Sequence, residues 1–110
     1  MEFLIVTDNQ NSLKVALSDI FYVTPSAEKP HVLTVVTVQG CYELRDTLGN
    51  LEEQLQSRFF RCHRKYLVNL EKIRGFNNLK RSILFFGDQV EDIPYSRYKK
   101  KELLKLWKWI

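Results

Sequence analysis

Apolar residues fall along this chain mostly in short runs with a period of two, broken by Asn, Asp, Gly and Pro, a rhythm that predicts short strands joined by tight turns. Phe3–Val6 opens the series, and the polar run 8–12 supplies the first turn. Leu13, Val15 and Leu17 alternate with Lys14 and Ala16, which predicts a second strand facing the core on its odd positions. Ser18 and Asp19 turn the chain into Ile20–Thr24, a β-branched and aromatic strand stopped by Pro25. Val32–Val38 is the strongest strand signal, and Gln39-Gly40 separates it from Cys41–Leu44 in a hairpin. The loop from Pro25 to His31 thus hangs between two strands. It can present contact residues on a rigid scaffold or merely cross over, and the pattern leaves both open.

Leu48, Leu51 and Leu55 have helical spacing behind Thr47 or Asp46, either of which can cap a short helix over Thr47–Gln56. Its leucines would cover a sheet face, leaving Glu52, Glu53 and Gln54 mainly solvated. Ile73–Phe76 and Ser82–Phe86 read as strands, with Gln89–Ile93 returning until Pro94 ends it. From Ser96, an N-cap candidate, a basic stretch leads into a helix whose Leu103, Leu106, Trp107 and Ile110 share a face. The reading is mainly β: roughly eight to ten short strands with about two short helices. Connections this short do not build repeated βαβ units.

The 110 residues suit one domain, 1–110, and the 45% hydrophobic and 27% charged fractions place it among foldable chains. The net charge of +4 hides an asymmetry: residues 1–57 hold three Lys/Arg against eight Asp/Glu, and residues 58–110 hold fourteen against five. That distribution favours a polyanionic partner for one side of the fold, nucleic acid ahead of an anionic membrane. Cys41 and Cys62 lack the number of a disulfide scaffold and the spacing of a metal site, and read as small apolar fillers in a reducing, cytoplasmic setting. No signal-peptide pattern or membrane-length apolar run is present.

Two constellations carry chemistry. In Phe59–Leu70, apolar residues interleave with Arg61, His63, Arg64 and Lys65, so buried members can fix a basic edge. An extended segment splits these cations between faces and a turn gathers them; the pattern does not choose. Arg64 offers a fork of donors for a base edge or phosphate, and Lys65 a point charge for a phosphate. An ordinary solvated basic edge is the alternative. His63 has no catalytic company: the chain lacks a nucleophile elbow, a metal-binding His/Cys pattern and a cofactor loop, so we expect no enzyme, cofactor or metal. Its roles are packing and hydrogen bonding beside the contact surface, then phosphate contact. Asn69 should satisfy backbone groups at a turn. In the second constellation, Ser96–Lys101, Arg97 is the best single contact candidate, with Lys99 and Lys100 as phosphate contacts or steering charges.

Phe60-Arg61-Cys62-His63-Arg64-Lys65-Tyr66-Leu67-Val68-Asn69-Leu70, then Ile73, and later Ile93-Pro94-Tyr95-Ser96-Arg97 with Lys99-Lys100, resemble the LytTR DNA-binding family of bacterial response regulators. Asp19-Ile20-Phe21-Tyr22-Val23 resembles its D-I-x-Y segment, so the likeness covers nearly the whole chain. It implies an elongated β-β-β sandwich of about ten strands whose loops enter successive major grooves of promoter repeats. It places Arg64, Arg97 and the first contact loop with Glu28, Lys29 and His31 in base-reading or groove-entry positions; Lys80, beside the Asn77-Asn78 turn, is a weaker phosphate-contact candidate. Lys65 stands where the family often has serine, Tyr95 replaces a small or aliphatic residue, and Pro25 and Pro30 bracket the first loop.

The expected function is sequence-specific duplex binding and transcriptional regulation. The expected partners are double-stranded DNA, a second copy on repeated sites, and an upstream receiver domain or another regulatory protein, with no membrane. The rivals are a protein-interaction module that tethers or inhibits another regulator through the aromatic C-terminal face, and an RNA-binding module stacking bases on Tyr22, Phe59, Tyr66 and Tyr98.

Overall fold

A computed structural model describes residues 2–109. Strands β1 (Phe3–Asp8), β2 (Asn11–Ala16), β3 (Ile20–Pro25), β4 (Leu33–Thr37) and β5 (Gly40–Leu44) precede helix α1 (Leu48–Gln54). Then come β6 (Phe59–His63), β7 (Tyr66–Asn69), β8 (Ile73–Asn77), β9 (Ser82–Phe85), β10 (Ile93–Pro94) and helix α2 (Lys100–Lys108). One sheet has seven strands in the order β2-β1-β5-β4-β3-β7-β6, a second has three in the order β10-β9-β8, and all pairs are antiparallel. The body is elongated, 40 × 28 × 25 Å.

The middle strands bury both faces, which gives the fold its layers. Val23, Val35 and Leu67 pair across β3, β4 and β7, and share a core with Leu4, Val6 and Val15 of the β1–β2 hairpin and Leu48, Leu51 and Leu55 around α1. On the opposite face, Val68 and Cys62 pack with Ile73, Ile83, Phe85 and Ile93 of the small sheet and Leu103 of α2. A bulge between Ile20 and Tyr22 lets consecutive Phe21 and Tyr22 both serve this second core. Each fully buried Leu, Ile or Val contributes roughly 1.5–3 kcal/mol, so the two cores fix the strands whose ends carry the basic residues.

Asn69 is the buried polar tie between these layers, 1% exposed. Its amide donates to the Leu17 and Ile20 carbonyls at 3.1 and 2.8 Å, and its carbonyl oxygen accepts from the Glu71 N–H at 3.1 Å. Thr47 caps α1, accepting from the Asn50 N–H at 3.1 Å, while Asp46 holds the Thr47 N–H at 2.8 Å.

Several boundaries differ from the sequence expectation. Leu17 leaves β2 for a 3-10 turn spanning Leu17–Asp19. The returning strand is only Ile93–Pro94, not Gln89–Ile93, and Pro94 lies within it. Proline is tolerated there because β10 is an edge strand, while Gln89 and Glu91 are exposed and have no core to reward their alternation. Ser96 caps a 3-10 turn, Arg97–Lys99, that runs into α2. On α2, Leu103 is buried and Trp107 half-buried, but Leu106 is exposed; Ile110, assigned to the same face, lies outside the described residues. Cys62 is buried as expected of a filler, whereas Cys41 is exposed.

Candidate nucleic-acid interface

The segment left open by sequence is a hairpin. β6 and β7 pair from Phe59↔Asn69 to His63↔Tyr66, so Arg64 and Lys65 form its tip and both are exposed. Phe59 faces the first core, Phe60 and Cys62 the second, and a bulge at Cys62 re-aims the chain just before the tip. The Cys62 thiol donates weakly to the Tyr66 and Pro94 carbonyls at 3.7 and 3.9 Å, and burial pushes its pKa up to about 12. It anchors the hairpin as a neutral thiol.

His63 works inside the tip. Its Nδ1 accepts the Lys65 N–H at 3.1 Å and its ring meets Tyr66 edge-on at 5.6 Å. Burial, then the nearby charges of Arg64, Lys65 and Arg61, hold its pKa below the ordinary histidine value. A neutral imidazole suits this acceptor role. Arg61 turns inward: its Nη1 meets Glu52 Oε1 of α1 at 3.1 Å, and its Nε donates to the His63 and Arg64 carbonyls, each at 3.2 Å. The expectation that Glu52 is mainly solvated therefore fails, because Arg61 shares the Phe59 face of β6 and reaches the helix.

Tertiary packing gathers most of the predicted residues around this tip. The Ser96 N–H donates to the Cys62 carbonyl at 2.8 Å, seating Arg97 beside the strand that leads to Arg64. The Tyr95 N–H donates to the Arg81 carbonyl at 3.2 Å, drawing the β8–β9 turn with Lys80 to the same end. In that turn Asn77 Oδ1 accepts the Leu79 and Lys80 N–H groups at 3.1 and 3.0 Å. Lys29, His31, Arg61 and Arg64 line one shallow concavity of about 420 Å³, which joins the first loop to the hairpin tip. Lys99 lies 5.6 Å over the Phe60 ring. Lys100 begins α2 half-buried, its backbone N–H donating to the Arg97 carbonyl.

The side chains differ in freedom. Arg97 is exposed, its guanidinium 5.1 Å over the Tyr98 ring and bonded to the Tyr98 hydroxyl at 3.1 Å. Lys29 is held by Glu43 at 2.8 Å. Ser26 Oγ accepts the Glu28 and Lys29 N–H groups at 3.2 and 3.1 Å, and His31 adopts a left-handed φ of 61° to close the loop. Arg81, exposed in a left-handed conformation with φ of 54°, joins the basic end although sequence reading did not single it out. The polar turn preceding it gave no such signal, since the β9–β10 pairing and the Tyr95 bond place that turn near Arg97. Among the described residues, no cluster of three His, Cys, Asp or Glu side chains is arranged to hold a metal ion, and no helix is long and apolar enough to span a membrane.

Comparison with known proteins adds an independent line. The chain is 35% identical over 111 residues to the sensory transduction protein LytT of Bacillus anthracis, covering 96% of this chain and 43% of that protein. It is 48% identical over 96 residues to the transcriptional regulatory protein YpdB of Escherichia coli K12, covering 82% and 37% respectively. The chain thus spans about two-fifths of the length of these curated relatives. A solved LytTr DNA-binding domain from Bacillus cereus superposes with a TM-score of 0.77 over 96% of each chain at 21% identity, which establishes the shared fold. The sequence profile of the LytTr DNA-binding domain matches residues 10–108. With its ten antiparallel strands and its basic end in place, the chain belongs to the LytTR DNA-binding domain family.

Proposed function

We propose that this chain reads duplex DNA sequence-specifically at bacterial promoter repeats and regulates transcription by doing so, its loops entering successive major grooves. The observation that carries the reading is the convergence on one end of the Arg64-Lys65 tip, the Ser26–His31 loop and the Ser96-Arg97 segment, linked by the shared concavity and the Ser96–Cys62 bond. Arg64 and Arg97 are the base-reading forks, each worth roughly 1–3 kcal/mol of discrimination when bidentate. Lys65, Lys80, Lys99 and Lys100 supply phosphate contacts or steering charge, and release of counterions makes binding salt-dependent. Glu28, Lys29 and His31 enter the groove from the first loop, while His63 supports the tip and contacts phosphate secondarily.

Two sets of contacts weigh against the rival readings. Base stacking needs free aromatic faces, yet Phe59 is buried, and Tyr22 packs against Phe85 and Tyr66 at 5.9 and 5.6 Å. Of the four stacking candidates, Tyr98 alone is open, at 82%. A protein-interaction module needs its aromatic C-terminal face free; Leu106 and Trp109 are exposed there, but Trp107 is committed to the fold, donating its indole N–H to the Ile73 carbonyl at 3.0 Å and packing on Phe76 at 5.1 Å. Control by an upstream receiver domain or another regulatory protein, binding of repeats as a homodimer, and a cytoplasmic location complete the proposal.

The test is selection from random duplex DNA at fixed moderate salt, comparing the native chain with the Arg64→Ala/Arg97→Ala double variant after its fold is checked by circular dichroism. Enrichment of a repeated site that collapses for the variant supports sequence reading at this surface. Weak binding without enrichment, indifferent to the variant, removes it and puts the protein-interaction reading first.

A further inference from the structure

Arg61 looks like a DNA contact by composition, yet each of its three guanidinium nitrogens bonds within the protein. Its guanidinium bonds the His63 carbonyl, the Arg64 carbonyl through both Nε and Nη2, and Glu52, and its side chain is 25% exposed. Glu52 is itself well placed, because it follows Leu51, 1% exposed, on a helix whose leucines are locked in the first core. His63 closes the opposite side of the tip through the Lys65 N–H. We infer that Arg61, held by Glu52, is a positioning residue that fixes the Arg64-Lys65 tip and thereby aims Arg64 at DNA. This rests on the proposed DNA reading and deepens it.

The inference predicts an effect opposite in sign to simple electrostatics. Removing an acid beside a DNA-binding surface ordinarily tightens binding to the polyanion. Glu52→Gln instead releases the brace, so the selected duplex is bound about tenfold more weakly, within the range expected when a bidentate base contact is misaimed. Random duplex is bound equally well or slightly better. Arg61→Lys keeps the charge but loses the planar fork that spans two carbonyls and a carboxylate, and so fails to restore the native preference.

The experiment measures affinity for selected and random duplexes across a salt series for the native chain, Glu52→Gln, Arg61→Lys and Arg61→Gln. Backbone relaxation of residues 63–65 is measured by NMR on the free proteins. The expected result is a reduced selected-to-random ratio, an unchanged salt slope, and increased tip motion in Glu52→Gln. Tighter binding of both duplexes by Glu52→Gln overturns the inference. Native behaviour of Arg61→Lys also overturns it, as does a slope in Arg61→Gln smaller by about 0.9, which marks a lost phosphate contact. Should the native chain select no sequence, the DNA reading falls, and the relaxation data still judge the brace: an unchanged tip in Glu52→Gln overturns it separately. Glu52→Gln changes a partly exposed side chain and carries the test where an Arg61 variant does not fold.

Discussion

The two loops that flank the shared concavity are held in different ways. The Arg64-Lys65 tip is tied from inside by Arg61 and His63 and stands on strands buried in both cores. The Ser26–His31 loop is closed at its base by the Ser26 N–H donating to the Val32 carbonyl at 2.9 Å, but beyond that bond it is held by one serine hydroxyl and by a Lys29–Glu43 pair whose side chains are 57% and 42% exposed. An ion pair so exposed is worth about 0–1 kcal/mol. The tip is therefore preorganised, with little left to order when a ligand arrives, whereas Lys29 can exchange Glu43 for a phosphate at small cost. One fold can thus place a fixed reader beside an adjustable arm.

The largest expected effect tests the foundation of the fixed side. Asn69→Ala takes a donor from the Ile20 carbonyl and an acceptor from the Glu71 N–H, while the Leu17 carbonyl keeps the Ile20 N–H, and at about 1–3 kcal/mol for each unsatisfied group the loss should be roughly 2 kcal/mol or more. A lowered urea midpoint with an unchanged m-value measures it. A midpoint near the native value would mean that the hairpin is not anchored there.

Next come the proposed readers. Arg64→Ala and Arg97→Ala should each weaken binding to a selected duplex by roughly 1–3 kcal/mol, while random duplex loses much less. Fluorescence anisotropy at one salt concentration separates the two. Equal losses on both duplexes would reassign these arginines to phosphate contacts.

The adjustable arm should respond the other way. Glu43→Gln frees Lys29 and removes an acid, so duplex affinity should rise by about two- to threefold and the salt slope should grow by up to about 0.9. A salt titration reads this directly. An unchanged slope would show that Lys29 does not reach the backbone.

The smallest effect concerns His63. Its folded pKa lies below the ordinary 6.5, so the neutral form stabilises the fold fully above that value, and the contribution is lost as pH falls through the lowered folded pKa. Protonation also removes the Nδ1 acceptor that holds the Lys65 N–H. An NMR titration of the His63 ring should give a midpoint below 6.5 in the free protein; a midpoint above it would show that a negative partner dominates this site.

Strand content was legible because β-branched and aromatic runs of period two were separated by Asn, Asp, Gly and Pro; Val32–Val38 needed only trimming to Leu33–Thr37, and Ile20–Thr24 runs one residue further, through the Pro25 expected to stop it. The five-residue alternation at 89–93 misled, because alternation shows only which side chains could be buried together. Whether a partner strand exists is decided elsewhere in the chain, and β9 met only Ile93 and Pro94. The stretch from Arg61 to Lys65 was legible as basic but not as divided labour. Nothing local distinguishes an arginine aimed at solvent from one aimed at a glutamate nine residues earlier.

By itself the sequence determined the mainly β composition, the charge split between its halves and the ordered motifs that match the family. These follow from side-chain periodicity and local turn chemistry, which need no long-range information. Tertiary structure alone decided that Ser96 meets Cys62, that the turn at Arg81 meets Tyr95, and that the first loop shares a concavity with Arg64. Those contacts arise because two cores bury both faces of the same strands, and the resulting stack of layers brings separated loops to one end.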